Sequence, residues 1–237
     1  MLTYRIDRLA STASTNTVAL AAAAAGEPEG YVVVADHQTA GRGRLGRAWL
    51  APPGTALLVS VLLRPPPDAA HLAVSAVSCA AAAACERVAG VEPALKWPND
   101  LVAGGRKVGG VLAETVGDLA AVVVGLGLNV HVPPDRPDEI AGIAGDLDAL
   151  AGRRVARTDL LDLMLIELAR RYDDLGAVMG EYRARCATIG QRVHVTLPRG
   201  AVTGTATAVV DDGSLLVDDG SQVVVVRVGD VAHLRPA

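Results

Sequence analysis

After Gly190 the sequence changes texture, and that break constrains the fold more than any other feature. Residues 192–197, 202–210, 215–217 and 223–226 are short β-branched runs separated by Gly and Asp turns. Strands this short and evenly spaced predict a small all-β unit, a barrel of about fifty residues. Upstream, apolar strand-like runs mix with Ala-rich helical ones, which predicts one larger α+β domain. The division is placed at residues 1–188 and 189–237.

In the larger unit, residues 3–9 alternate as a strand does, and Ser14-Thr15-Asn16 opens an Ala-rich helix that Gly26 and Pro28 close. Residues 31–36 and 56–63 are predicted strands, and 70–89 a buried Ala-rich helix. Two short strands follow at 94–97 and 101–103, the second ending in Gly104-Gly105. Residues 107–115 and 120–130 predict a hairpin turned at Gly117-Asp118. Leu160, Leu161, Met164, Leu165 and Leu168 recur at helical spacing across 158–175, and 179–187 predicts a further short helix. The chain is 51% hydrophobic, much of it Ala and Val, with no Phe. Small side chains must therefore fill the core, which requires close packing of helices on strands.

A net charge of −4 argues against a nucleic-acid partner. Cys79, Cys85 and Cys186 are odd in number and form no CxxC pair, which fits neither a disulfide framework nor a zinc site. Reduced, buried thiols of a cytosolic protein are the expectation. The N-terminus lacks the apolar core of a secretory signal. The Ala-rich runs are judged too short or too interrupted to span a bilayer. A soluble, cytoplasmic protein with no membrane partner is expected.

Residues 37–53 have no periodicity and are rich in Gly and Arg, which predicts a long functional loop. Gly41, Gly43 and Gly46 satisfy the dinucleotide-binding spacing after a strand. That fold requires a helix to open directly behind the glycines. Here Trp49-Leu50-Ala51-Pro52-Pro53-Gly54 follows instead, and the next strand runs into Arg64 and prolines rather than an acidic residue. The distinguishing feature is Arg42, Arg44 and Arg47 interleaved with glycines. Glycine lets backbone approach a ligand closely, and arginine offers fixed planar donors to phosphate or carboxylate. The bland alternative is a solvated basic loop.

Lys96-Trp97-Pro98-Asn99-Asp100 lies between two predicted strands. Lys96 precedes the turn, where it can point inward toward an anionic partner. Asp100 is a candidate Mg²⁺ ligand, although an Asp in a turn more often bonds local backbone. Lys107 with Gly109-Gly110, and Gly125-Leu126-Gly127-Leu128-Asn129 on the next strand, suggest that a ligand or another segment comes close. His37, His71, His131, His194 and His233 have no ligand-set spacing.

Together, Ser14-Thr15-Asn16, Gln38 with Gly41-Arg42-Gly43-Arg44-Leu45-Gly46-Arg47, Lys96-Trp97-Pro98-Asn99-Asp100, Lys107 with Gly109-Gly110, and Gly127-Leu128-Asn129 resemble biotin–protein ligases over essentially the whole chain. The resemblance implies a class II synthetase-like mixed sheet flanked by helices, with an SH3-like C-terminal barrel. It also implies the ligase-only class, because no winged-helix residues precede the first strand. By the same resemblance biotin reacts with Mg-ATP to give biotinyl-AMP and then passes to a lysine of a biotin carboxyl carrier protein. No tightly bound prosthetic group is implied, and a monomer or weak homodimer is expected. Ser14, Thr15, Asn16, Gln38, Gly41, Arg42, Gly43, Arg44, Lys96, Gly109 and Gly110 would form the biotin site. Arg42, Arg44, Arg47, Trp49, Lys96, Asn99, Lys107 and Asn129 would hold ATP or the adenylate. Lys96, Arg42 and Arg44 are the catalytic candidates. A lipoate or octanoate ligase of the same superfamily and a non-catalytic biotin sensor are the competing readings.

Overall fold

Two continuous apolar runs make the centre of the molecule. Tyr31–Ala35 (β2) and Ala56–Leu63 (β3) are buried at every position, as strands covered on both faces must be. A computed structural model describes residues 2–117, 121–131 and 142–234. The remaining strands of the large sheet are Arg5–Leu9 (β1), Ala94–Lys96 (β4), Asp100–Ala103 (β5), Arg106–Val116 (β6) and Ala121–Asn129 (β7). Their order is β1-β2-β3-β7-β6-β5-β4. β1 pairs parallel to β2 and the other described pairs are antiparallel, so the sheet is mixed.

The pleat sends alternate residues to opposite faces, and each face has its own cover. Tyr31 and Val33 pack with Ala19 and Ala23 of the helix Thr15–Ala24 (α1). Val32 and Val34 face the main core, which holds the helix Ala73–Ala84 (α2). Eleven of α2's twelve residues are buried. Alanine has the small Cβ and high helix propensity such close packing requires. Behind α2 lie Arg157–Tyr172 (α4) and Leu175–Arg185 (α5). Before them comes a short helix, Leu147–Ala151 (α3), whose N-cap Asp146 accepts from Ala149 N at 2.9 Å. The sequence reading did not anticipate α3, because five residues are too few to show a period.

The predicted helix over 70–89 is three pieces. A 3₁₀ segment, Pro67–Leu72, leads into α2, and a π turn, Cys85–Ala89, ends at Gly90 with φ +69. The run Pro67–Ala89 is in fact long and apolar enough to cross a membrane, contrary to the sequence expectation, yet 78% of its apolar window is buried inside the protein. It is a core helix. Burial also pushes the thiols of Cys79 and Cys85 up to about 12, leaving them protonated and inert. Gly117 ends β6 with φ +60, while Asp118 of the expected turn lies outside the described residues.

The chain after Gly190 forms a separate five-stranded antiparallel sheet. It comprises Arg192–Thr196 (β8), Ala201–Val209 (β9), Leu215–Asp218 (β10), Val223–Val226 (β11) and Asp230–His233 (β12), in the order β11-β10-β9-β8-β12. β12 was not foreseen, because Gly229-Asp230 looks like one more turn. The two sheets meet at the Lys96–Asp100 segment. Ala187 N donates to Leu95 O at 2.8 Å, Trp97 N donates to Thr188 Oγ1 at 3.0 Å, and the Trp97 indole donates to Gly213 O at 2.8 Å. Trp97 is thus a buried fastener for the second sheet.

Candidate active site

One cleft of about 140 Å³ opens between the start of α1, the 38–49 loop, the strands β5, β6 and β7, and the edge of the second sheet. Its floor is backbone. Gly125 and Gly127 share a face of β7, and Gly110 lies opposite Gly127 on β6. A β-carbon at Gly125 would fall 2.2 Å from Asn16 Oδ1, and one at Gly127 would fall 2.4 Å from the Trp49 ring. Side chains from elsewhere occupy the room these glycines leave.

One end of the cleft is neutral. Gln38 Oε1 accepts from the Thr15 backbone N–H at 2.7 Å and the Thr15 hydroxyl at 3.0 Å. Ser60 Oγ lies 2.7 Å from Thr15 Oγ1 and 2.5 Å from Asn16 Oδ1. Asn16 Nδ2 donates to Leu112 O at 3.2 Å and to Glu114 Oε2 at 2.7 Å. Ser14, Thr15, Asn16 and Ser60 are all buried. Ser14 is the extended N-cap of α1 but makes no side-chain capping bond. The polar residues that open this helix therefore serve the cleft rather than the helix end.

The other end is cationic. Lys96 lines the cleft half-buried and forms no salt bridge with any described residue. Lys107 Nζ lies 2.5 Å from Asp100 Oδ1 and 5.7 Å from the centroid of the Trp49 ring. Asn99 Nδ2 donates to Val111 O at 2.7 Å, and its Oδ1 accepts from Arg44 at 3.4 Å. Behind Lys96, His233 Nε2 sits 3.1 Å from Thr188 Oγ1. Burial, and then the Lys96 charge, hold its pKa below the ordinary histidine value.

The glycine-arginine loop joins the two ends as a small hairpin. Trp49 N donates to Gly41 O at 2.9 Å, and Gly43 N to Arg47 O at 2.7 Å. Leu45 and Gly46 at its tip are left-handed, with φ +57 and +74. For Leu45 this costs on the order of 1–2 kcal/mol. The turn lays two arginines on the second sheet: Arg44 donates to Gly229 O at 3.3 Å, and Arg47 pairs with Asp230. Desolvation lowers the Arg44 pKa against the opposing pull of Asp230 and Asp100, whereas Asp230 raises that of Arg47. Arg42 turns the other way. Its Nη1 donates to Thr17 Oγ1 at 2.8 Å, and its Nη2 meets both oxygens of Glu114 at 3.0 and 2.9 Å.

Two family models match the chain: Biotin/lipoate A/B protein ligase family over residues 9–129, and Biotin protein ligase C terminal domain over residues 188–234. The chain belongs to the biotin/lipoate A/B protein ligase family. A biotin–[acetyl-CoA-carboxylase] ligase of Mycobacterium tuberculosis is 41% identical over 98% of this chain and 90% of its own length. The bifunctional ligase/repressor BirA of Bacillus subtilis is 33% identical over 79% of this chain and 61% of its own. Among solved structures, biotin protein ligase from Aquifex aeolicus in complex with biotin and ATP superposes with a TM-score of 0.83 at 27% identity, covering 98% of this chain and 99% of that one.

Of the residues the sequence singled out, Ser14, Thr15, Asn16, Gln38, Arg42, Gly43, Arg44, Arg47, Trp49, Lys96, Asn99, Asp100, Lys107 and Gly110 line this ligase-family cleft. Gly41, Gly109 and Asn129 lie outside its lining. Gly41 packs under Trp49 O, Gly109 against Gly127 O, and Asn129 Nδ2 donates to Gly145 O at 3.1 Å. Sequence reasoning missed Ser60, Glu114 and Asp230. Ser60 had a signal, since it is the lone polar residue in an apolar strand and is 0% exposed. Among the described residues no group of three or more His, Cys, Asp or Glu could hold a metal. Asp100 is engaged by Lys107, so the donor set does not fit a resident metal site.

Proposed function

We propose that this protein is a biotin–protein ligase, which forms biotinyl-AMP from biotin and Mg-ATP and transfers biotin to a lysine of a carrier protein. The observation that carries this reading is a single cleft joining a buried neutral hydrogen-bond ladder to a cationic end. The ladder of Gln38, Thr15, Asn16 and Ser60 suits an uncharged, polar ring system such as a ureido group, because its members are neutral and pre-paired. Lys96, Lys107 and Arg44 suit phosphates and a carboxylate.

The chemistry needs no enzyme nucleophile. A biotin carboxylate oxygen attacks the α-phosphorus of ATP, the bond to pyrophosphate breaks, and a mixed anhydride forms. The carrier lysine, as free amine, then attacks the acyl carbon, loses a proton and expels AMP. Lys96, with no carboxylate partner among the described residues, is placed to neutralise charge where carboxylate and phosphate meet. The loop hairpin covers this point, and excluding water there protects the anhydride from hydrolysis. Trp49 stands over the glycine floor with a buried indole N–H that has no hydrogen-bond partner among the described residues, which suits the nucleotide side.

Relatives are named biotin–[acetyl-CoA-carboxylase] ligases, which supports a biotin carboxyl carrier domain as acceptor. We assign the catalytic domain to residues 1–188 and the barrel, whose edge adds Asp230 and Val231 to the cleft, to 189–237, and action to a cytoplasmic monomer or weak homodimer. Intact mass of an apo carrier domain incubated with protein, Mg-ATP and biotin tests the reading. An ATP-dependent gain of one biotinyl group is expected. A gain only with lipoate or octanoate would overturn the substrate, and binding of biotin with no transfer would overturn the activity.

A further inference from the structure

Glu114 ties the neutral end of the cleft to the glycine-arginine loop. On β6 its carboxylate accepts Asn16 Nδ2 at 2.7 Å, and it holds Arg42 Nη2 on both oxygens at 3.0 and 2.9 Å. The second terminal nitrogen of Arg42 donates to Thr17 Oγ1 at 2.8 Å, so the guanidinium is bound between α1 and β6. With Nδ2 fixed by Glu114 and Leu112 O, the Asn16 amide must turn its oxygen toward Ser60 and the space above Gly125. Rotating that amide would break three hydrogen bonds together.

We propose that Glu114 is a positioning residue: it fastens the glycine-arginine loop to the neutral end of the cleft through Arg42 and fixes the direction of the Asn16 amide. No contact with substrate is assigned to it, and its effect on ligands rests on reading that end as the biotin pocket. The competing view is an idle surface pair, since the Arg42 and Glu114 side chains are 42% and 30% exposed and such pairs contribute little. What separates the two is the shared bond to Asn16, which is 4% exposed and carries any change at Glu114 into the cleft.

Two variants of the full chain divide the roles. Glu114→Gln keeps an oxygen for Asn16 but removes the charge that holds Arg42, whereas Glu114→Ala removes both. For Glu114→Gln, tryptic cleavage at Arg42, Arg44 and Arg47 in the ligand-free protein should rise about tenfold. Free biotinyl-AMP released per turnover should rise by a similar factor, with biotin affinity by calorimetry within about twofold of wild type. Glu114→Ala should in addition weaken biotin binding about tenfold. Wild-type cleavage rates and biotin affinity in both variants would overturn the proposal. Should the Ala variant fail to melt cooperatively, the cleavage rate of the Gln variant decides alone. If the wild-type protein neither binds biotin nor makes adenylate, the ligase reading falls, while loop cleavage still judges the clamp.

Discussion

The two ends of the cleft are built on opposite plans. At the neutral end side chains already pair with one another: Gln38 with Thr15, Ser60 with Thr15 and Asn16, Asn16 with Glu114. At the cationic end the key group, Lys96, has no ion-pair partner among the described residues, and Trp49 keeps an unpaired indole N–H. A pre-paired ladder is rigid and selects shape, while an unpaired charge is reserved for a ligand that brings its own counter-charge. On the proposed reading, the same cleft separates recognition from chemistry.

That separation gives a graded set of outcomes. Lys96→Ala should lower adenylate formation by roughly 10²–10³-fold, the scale of one lost transition-state donor. Its melting temperature should stay unchanged, and near-wild-type adenylation in a pyrophosphate-release assay would break the comparison at its strongest point. Arg44→Gly removes the loop's contacts to Asn99 and Gly229. Escape of free biotinyl-AMP should rise about tenfold, a loss on the scale of a charged hydrogen bond. An unchanged ratio of released to transferred biotin would remove Arg44 from adenylate retention.

Ser60→Ala should act differently, because it breaks the ladder rather than the chemistry. Thr15 Oγ1 and Asn16 Oδ1 would lose a buried partner, costing about 1–3 kcal/mol in denaturant unfolding and raising the KM for biotin with kcat little changed. A variant with normal stability and normal KM would show that the neutral end is not pre-paired in solution. The smallest effect concerns His233. Its native pKa lies below the ordinary 6.5 through burial and the Lys96 charge. As pH falls below 6.5 the unfolded chain binds that proton first, so the fold loses stability down to the native pKa. In Lys96→Ala the NMR titration of His233 should move part of the way back toward 6.5, because burial remains. No movement would mean that Lys96 does not sense this side of the site.

The sequence carried the two textures, the buried strands and the Ala-rich core helix plainly, because period and composition are local signals. It also carried the loop arginines and the Lys96–Asp100 segment, whose residue types are unusual together. It did not reveal that Trp97 of that segment faces the second sheet, since its partner Gly213 lies 116 residues away. The place of Ser60 and Glu114 in the site was hidden for a related reason. Ser60 stood out as a polar residue in an apolar strand, and Glu114 did not stand out beside Thr115 and Lys107, but only the register of β3, β6 and β7 brings them beside α1. Asp230 was hidden by its glycine, which made the start of β12 look like a turn.

The glycine floor has a consequence for how this site can change over evolutionary time. Where bare main chain packs under Asn16 and Trp49 there is no side chain to exchange, and at Gly125 and Gly127 even a methyl group would collide with one of them. Point substitution can therefore redraw the walls of the site but not its base. A new substrate must be admitted from the rim inward, by way of the loop and the opening of α1, while the base keeps its outline.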